Sequence, residues 1–521
     1  MNTRVISSRF IGQIKLEDSW PLKITFLALI ILILGAHLIT LTTYPPVFVD
    51  ESWNSNSAWT WLRTGNHFDS IHTGPLDQYG YQWVRRPLLG DLPWVVIFAQ
   101  FGLGLFQARF VSWIFGCLLL LVVGRIGWRL YGSLTGLTSA LFLSLSPVFI
   151  QASHWARPDI LLATVILLAF LFAIIAFQSG NLWSHFLVGL LAGISLDIHQ
   201  NGLLFIPGFI AIYLLKFNKK IFQKGSLFAV LGGAIGILFY LVVHYFPNPD
   251  VFWKLFSFSF SGPHISPFGN LNPIDVLKSI RGEVGRYHFY ENNLDFALIG
   301  ASITYLLARR SASDKILSLF VGVTFISFVF ISGKKVDHYA ILLYPLFMLI
   351  VSEAILSQLA RGNNLLPTRI FFLVIMILFL LNSIIHFSRP VNDAKNYDYY
   401  RVTKNMNSVI PSSAKVMGSP LWWLGFSDHD YISTFNFSFY KHFNNYSVYN
   451  VIELESPDFL IVDEILRGQM YALPESDPYF LSGEEFENLL NNFGEMVLEF
   501  DDPYHGSIEI YKITNRIQRE N

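Results

Sequence analysis

The sequence predicts an α-helical polytopic membrane protein with a small α/β domain at its C-terminal end. Three observations lead there. Of 521 residues, 53% are hydrophobic and 14% charged, against roughly 25% charged in soluble proteins, and mean hydropathy is +0.44. Apolar runs long enough to span a bilayer recur as far as Ile385. Beyond Ile385 the chain turns polar, and about 130 residues remain, enough for a soluble domain of ordinary small size. The expected division is a transmembrane domain over 1–387 and a soluble α/β domain over 388–521.

Arg4, Arg9, Lys15 and Lys23 precede or open the first apolar run, which starts near Ile24 with no small-residue cleavage pattern after it. This reads as an uncleaved signal anchor. Further runs begin near Phe110, Leu134, Ile160, Leu182, Leu203, Leu227, Leu294, Ile316, Tyr339 and Ile370, making about eleven transmembrane helices. The stretch Leu92 to Phe106 is shorter, is interrupted by Gly102 and Gly104, and follows Arg85-Arg86-Pro87. Charge decides its assignment. As a span it would put Arg125, Arg129 and the cluster Lys216, Lys219, Lys220 and Lys224 outside, against the positive-inside bias. As an interfacial or re-entrant helix it leaves these, the N-terminus, Arg309-Arg310-Lys315 and Arg361/Arg369 all cytoplasmic. The C-terminal domain is then extracytoplasmic.

In that domain a helix over Tyr399 to Ile410 leads through Pro411 to a strand at Ala414 to Met417. Phe459 to Val462 reads as a buried strand, Glu484 to Asn492 as a helix, and Met496 to Phe500 and Ile508 to Ile513 as further strands. The net charge of −1 argues against bulk nucleic-acid binding. A single cysteine, Cys117, precludes an intrachain disulfide. There is no internal repeat, P-loop, GxGxxG fingerprint or paired-cysteine metal motif, which disfavours nucleotide hydrolysis and inverted-repeat transporters.

The predicted topology collects four polar clusters on the outer side: Asp50-Glu51, Ser153 to Asp159, Asp197 to Gly202, and Lys334 to Tyr339. Each lies at a span end, where bundling would gather them around one outward-facing cavity. The loop Phe246 to Asn293, with His264, Arg281, Glu283, Arg286, Tyr287 and His288, is expected to cover it. Ionisable groups at a membrane boundary are costly, and so are functional-site candidates.

The ordered set Val47-Phe48-Val49-Asp50-Glu51, Ala156-Arg157-Pro158-Asp159 and Lys334-Lys335-Val336-Asp337-His338-Tyr339 resembles bacterial members of the dolichyl-phosphate-mannose protein mannosyltransferase and aminoarabinose transferase superfamily. These are family 39-like glycosyltransferases of the GT-C fold. The resemblance runs from about Ile24 to Leu356. Arg85-Arg86-Pro87 stands where the family usually has Lys- or His-Pro-Pro, and Asp197 to Gly202 replaces a frequent Thr-Lys. The resemblance implies an inverting transferase in the plasma membrane of a prokaryote, with a polyprenyl-phosphate-linked sugar as donor and the key acid at Asp50.

The residues suit that chemistry. Transfer to a hydroxyl needs a base for the acceptor proton and cations for the donor phosphate. Asp50 is the candidate base, and Glu51 either orients it or binds sugar hydroxyls; a neighbouring carboxylate would strengthen the base by like-charge repulsion. Arg157 suits a planar phosphate clamp held by Asp159, and Lys334, Lys335, His338 and Tyr339 suit the same anion. Arg86 and His199 are supporting candidates, His199 equally a satisfied helix-end residue. A divalent cation on Asp50, Glu51, His199 and His338 is a secondary reading without ligand spacing, so no cofactor is assigned. Trp53, Trp59 and Trp155 are candidates to stack on a sugar face. Other classes consistent with the composition are a transporter or lipid-linked-sugar flippase, whose ionisable residues belong near mid-span, and a non-catalytic glycan-assembly subunit. The acceptor, whether lipid, glycan or protein, is open.

Overall fold

The computed structural model describes residues 19–75, 87–218, 222–254, 273–287, 293–332, 335–360, 366–393, 396–471 and 481–514. Arg86, His264, His288 and Lys334 lie outside them. The chain forms two compact units. One comprises Met1–Thr40, Ser112–His154 and Pro158–Val391, the other Leu41–Val111, Trp155–Arg157 and Asn392–Asn521. Contacts rather than hydropathy set these limits, so the segment after the first span shares a unit with the C-terminal domain.

The helices, in chain order, are α1 (Trp20–Thr40), α2 (Val49–Thr64), α3 (Leu88–Phe101), α4 (Leu105–Leu130), α5 (Ser133–Leu145), α6 (Pro147–His154), α7 (Asp159–Ser179), α8 (Leu182–Ile198), α9 (Ile206–Phe217), α10 (Lys224–Tyr240), α11 (Pro273–Arg286), α12 (Asn293–Arg309), α13 (Ala312–Ile331), α14 (Tyr344–Ala360) and α15 (Leu366–Asp393). Among the described residues six helices are long and apolar enough to cross a membrane, or seven if the α5–α6 pair, bent by 70°, is one broken span. Shorter apolar helices occupy the remaining expected positions. The protein is a multi-pass integral membrane protein.

Local chemistry explains the deviations from the expected boundaries. Gly102 adopts a left-handed φ of 77° and ends α3, a conformation that costs glycine little. Leu105 and Phe106 therefore open α4 instead of closing α3, and the span expected from Phe110 starts five residues earlier. With 14 residues α3 is about 21 Å long, too short for the roughly 30 Å hydrocarbon core. The α5–α6 bend falls at Ser146, extended at ψ 141° as the residue before a proline prefers.

Within the first unit, α7 is apolar on every side and buried along most of its length, as expected of a helix at the centre of a bundle. Gly189 and Gly193 of α8 meet Gly233 and Gly236 of α10, so closely that a Cβ at Gly193 would lie 2.9 Å from the Gly236 Cα. Small residues on both faces let the backbones approach where lipid offers no hydrophobic drive.

In the second unit five strands make one sheet: β1 (Lys415–Gly418), β2 (Asp430–Ser433), β3 (Phe459–Val462), β4 (Gly494–Asp502) and β5 (Gly506–Ile513). Their order is β2-β1-β3-β5-β4, with β1 parallel to β2 and β3, and β5 antiparallel to β3 and β4. Side chains alternate between two cores. Val416, Tyr431, Phe459 and Ile461 join Trp422, Tyr399 and Val47 on one face. Met417, Ile432, Leu460 and Val462 join Phe437, Val451 and Phe486 on the other. Burial on both faces makes β3 a continuous Phe-Leu-Ile-Val run. The helices Tyr399–Asn407 and Gly483–Phe493 and strands β1, β3, β4 and β5 lie where the sequence places them. Strand β2 and the helices Phe435–Asn444, Val448–Glu455 and Glu464–Tyr471 escaped notice, being short and weakly patterned.

Candidate active site

Asp50 and Glu51 lie in the first turn of α2, where the positive end of the helix dipole favours carboxylates. Their environments differ. The Glu51 side chain is fully buried, and that of Asp50 keeps 30% of its surface exposed. Arg109 grips Glu51 as a fork, Nε donating to Oε2 at 2.8 Å and Nη2 to Oε1 at 2.7 Å. The Phe48 amide donates to Oε1 at 2.8 Å and the Ala156 amide to Oε2 at 3.0 Å. Arg109 Nη1 also donates to the Leu41 carbonyl at 2.7 Å. Four N–H groups thus saturate Glu51, and the pair fastens Leu41, the α2 start and the Trp155–Arg157 segment to one guanidinium.

Both oxygens of Glu51 are engaged, and Asp50 has its own guanidinium in an ion pair with Arg157. Arg157 is almost buried and lies 5.4 Å from the centroid of the Phe48 ring. Phe48 stacks on Trp155 at 4.6 Å, and the Trp155 indole N–H donates to the Pro46 carbonyl at 3.1 Å. Asn54 donates to the Ala156 carbonyl at 3.2 Å. Asp50 and Arg157, far apart in sequence, are held together by this lacing.

The tryptophans proposed for sugar stacking already have partners. Trp155 has Phe48, Trp53 lies 4.5 Å from the His72 ring, and Trp59 meets Phe98 edge-on at 6.2 Å. His72 is bonded at 2.6 Å to Asp69.

In the first unit, the segment after α13 gathers a second set of charges. Glu283 and Arg286 of α11 are buried and paired at 3.1 Å, and Lys335 Nζ lies 3.3 Å from Glu283. Lys335 also donates to the carbonyls of Phe328 and Val329, capping the C-terminal end of α13. Burial pushes its ammonium below the usual lysine range, with Glu283 acting in opposition. Burial also raises the Asp337 carboxyl, and Arg286 opposes it. Arg286 sits 5.8 Å from the Tyr339 ring, which packs against His338 at 4.5 Å and His199 at 5.4 Å. Tyr339 thus touches both His338 and His199, while Lys335 and Arg286 share Glu283. His199 accepts the Asn201 amide at 3.1 Å as the cap of a 3-10 turn. Within the loop expected as a cover, α11 forms over Pro273–Arg286, pinned to α13 by Ser279 donating to the Val329 carbonyl at 2.5 Å, and residues 255–272 and 288–292 lie outside the described ones.

Asp159 heads α7 and is buried, and Asp197 is paired with His244. Among the described residues no group of three or more His, Cys, Asp or Glu is placed to hold a metal ion. Sequence reasoning passed over Arg109, although a lone arginine near the start of an apolar helix is the signal that marks intramembrane function. It also left Glu283 and Arg286 unranked among loop charges.

The family model for dolichyl-phosphate-mannose-protein mannosyltransferase matches residues 86–246, a region that includes Arg157 and His199. No curated protein matches this sequence. Among solved structures, ArnT from Cupriavidus metallidurans bound to undecaprenyl phosphate is similar, with TM-score 0.60 and 13% identity over 94% of this chain and 98% of that one. The oligosaccharyltransferase AglB from Archaeoglobus fulgidus, in complex with an inhibitory peptide and a dolichol-phosphate, gives TM-score 0.56 and 14% identity over 96% of this chain and 76% of that one. At such identities the likeness establishes architecture, and the chain has the GT-C fold of membrane glycosyltransferases.

Proposed function

We propose that this protein is an integral-membrane, inverting glycosyltransferase that moves a sugar from a polyprenyl-phosphate donor to an acceptor at the extracytoplasmic face. The observation that carries the reading is the contrast between the two adjacent acids: Glu51 is locked by Arg109, and Asp50 is part-exposed beside Arg157. A locked acid sets the geometry, and one in a part-exposed ion pair can exchange its partner and do chemistry. Asp50 is the general base for the acceptor hydroxyl, and Arg157 is the cation for the donor phosphate. The ligands of ArnT and AglB, undecaprenyl phosphate and a dolichol-phosphate, support a polyprenyl-phosphate ligand.

The ion pair gives the two roles an order. Donor phosphate competes with Asp50 for the guanidinium, which binds such oxygens through a planar fork. Binding releases the carboxylate to accept the acceptor's proton, and the phosphate leaves as an anion stabilised by the same guanidinium. In the first unit, Lys335 orders the turn that carries His338 and Tyr339, which are the further proposed phosphate contacts.

Arg157→Ala is expected to remove a charge-assisted contact of about 1.5–3 kcal/mol and weaken donor binding roughly ten- to a hundredfold. Titration of the purified variant with a polyprenyl-phosphate sugar checks this, and parental affinity would eliminate the clamp. Arg157→Lys keeps the charge but not the fork, and is expected to fall between the two.

The proposed orientation places the N-terminus in the cytoplasm of a prokaryotic cell and the C-terminal domain outside the plasma membrane. With Cys117 replaced, cysteines at the exposed positions Asn66 and Ser412 should react with an impermeant thiol reagent in intact cells. A cysteine at Asn218 should react only after lysis. Labelling of Asn218 in intact cells would reverse the topology.

A further inference from the structure

The Asp50 loop is tied to the C-terminal α/β domain on both sides of the acid pair. Three residues before Asp50, the Val47 amide donates to the Tyr397 hydroxyl at 2.9 Å. Two residues after it, the Ser52 hydroxyl donates to the Leu421 carbonyl at 3.2 Å, which also receives the Tyr399 hydroxyl at 2.8 Å. The Tyr397 oxygen lies 3.1 Å from His505 Nε2. Since this oxygen accepts from Val47, its own proton is available for His505, provided the imidazole is neutral.

The surroundings keep it so. Burial holds the His505 pKa down to about 4, with Asp502 acting in opposition. The ring meets Trp422 edge-on at 4.9 Å, and the Trp422 indole N–H donates to the buried Asp463 at 2.8 Å. The His505 amide donates to Asp502 at 3.0 Å, fixing the turn between β4 and β5. A rigid chain of contacts therefore runs from the sheet through His505 and Tyr397 to the backbone that leads into Asp50.

We propose that Tyr397, backed by His505, is a positioning residue for Asp50, and that the C-terminal domain serves the transfer reaction by completing the catalytic loop. This rests on the assignment of Asp50 as base. Domain and loop belong to one compact unit and share one core, in which Val47 packs with Val416, Trp422 and Ile510. A hydrogen-bonded backbone fixes the carboxylate's approach more closely than apolar packing alone, because its direction is specified.

The test uses the full-length protein. Tyr397→Phe keeps the ring and its contact with Tyr504 at 5.0 Å, but leaves the Val47 amide without this acceptor. Hydrogen exchange over residues 46–52 should accelerate, and turnover should fall about five- to tenfold, with donor affinity unchanged. In an Asp50→Asn background the same substitution should cost nothing further, because the group it positions is already gone. His505→Gln, which retains an acceptor, should preserve most of the turnover that His505→Phe loses. Unchanged exchange in Tyr397→Phe, or an equal loss with and without Asp50, would overturn the inference. A parent protein that transfers no sugar from any polyprenyl-phosphate donor would instead sink the proposed function, and the exchange comparison would still decide whether Tyr397 holds the loop.

Discussion

Asp50→Asn is expected to lower turnover by a hundredfold or more, the order contributed by a positioned general base, and to leave donor binding intact or slightly tighter. Asparagine keeps the shape and one acceptor oxygen but cannot take a proton. It also removes the negative charge that competes with donor phosphate for Arg157. The asparagine oxygen can still accept from Arg157, but the almost buried guanidinium loses its counter-charge, so Tm is to be measured beside activity. Turnover and donor affinity are to be measured on one folded sample. Near-parental turnover would dismiss Asp50 as the base. Lost binding with an unchanged fold would recast it as part of donor organisation.

Arg109→Ala should be the most damaging change to the fold around the site. It leaves the Glu51 carboxylate fully buried without its counter-charge, a loss of about 3–5 kcal/mol when one partner of a buried pair is removed. The Leu41 carbonyl loses its donor in the same step. Thermal unfolding in detergent is expected to show a clear fall in Tm and a poor yield of folded protein. Arg109→Lys cannot reproduce the fork and should recover only part of the loss. Glu51→Gln strands the equally buried Arg109 guanidinium instead and sets an NH2 against N–H donors, so it too should lower Tm. If Arg109→Ala matched the parent in Tm, the pair would not be the anchor of the α2 start.

The membrane class, the helix positions and most of the C-terminal strands could be read from the chain because each depends on local pattern. A bilayer demands long apolar runs with satisfied backbones, and a strand or helix announces itself by its period. The interfacial assignment of α3 drew on the same kind of information, charge counted along the chain against helix length. The acids, Arg157 and the Lys335–Tyr339 segment were found the same way, as ionisable groups at span ends with no structural excuse for being there.

Tertiary structure alone decided what those groups do to one another. Asp50 and Glu51 are adjacent and chemically alike, and nothing in their order says which is buried. Burial against Arg109, 58 positions away, fixes Glu51 in a fork, and Asp50 is left part-exposed in an ion pair with Arg157. Likewise nothing in the order of Lys335 says that it caps α13 and pairs with Glu283. Tyr397 carried no sequence signal at all until folding set its hydroxyl against the Val47 amide. Secondary structure and membrane insertion follow from neighbours within a few turns or strands. The fate of a charge depends on which distant partner reaches it and how much water the folded chain excludes, a balance set only once the packing is complete.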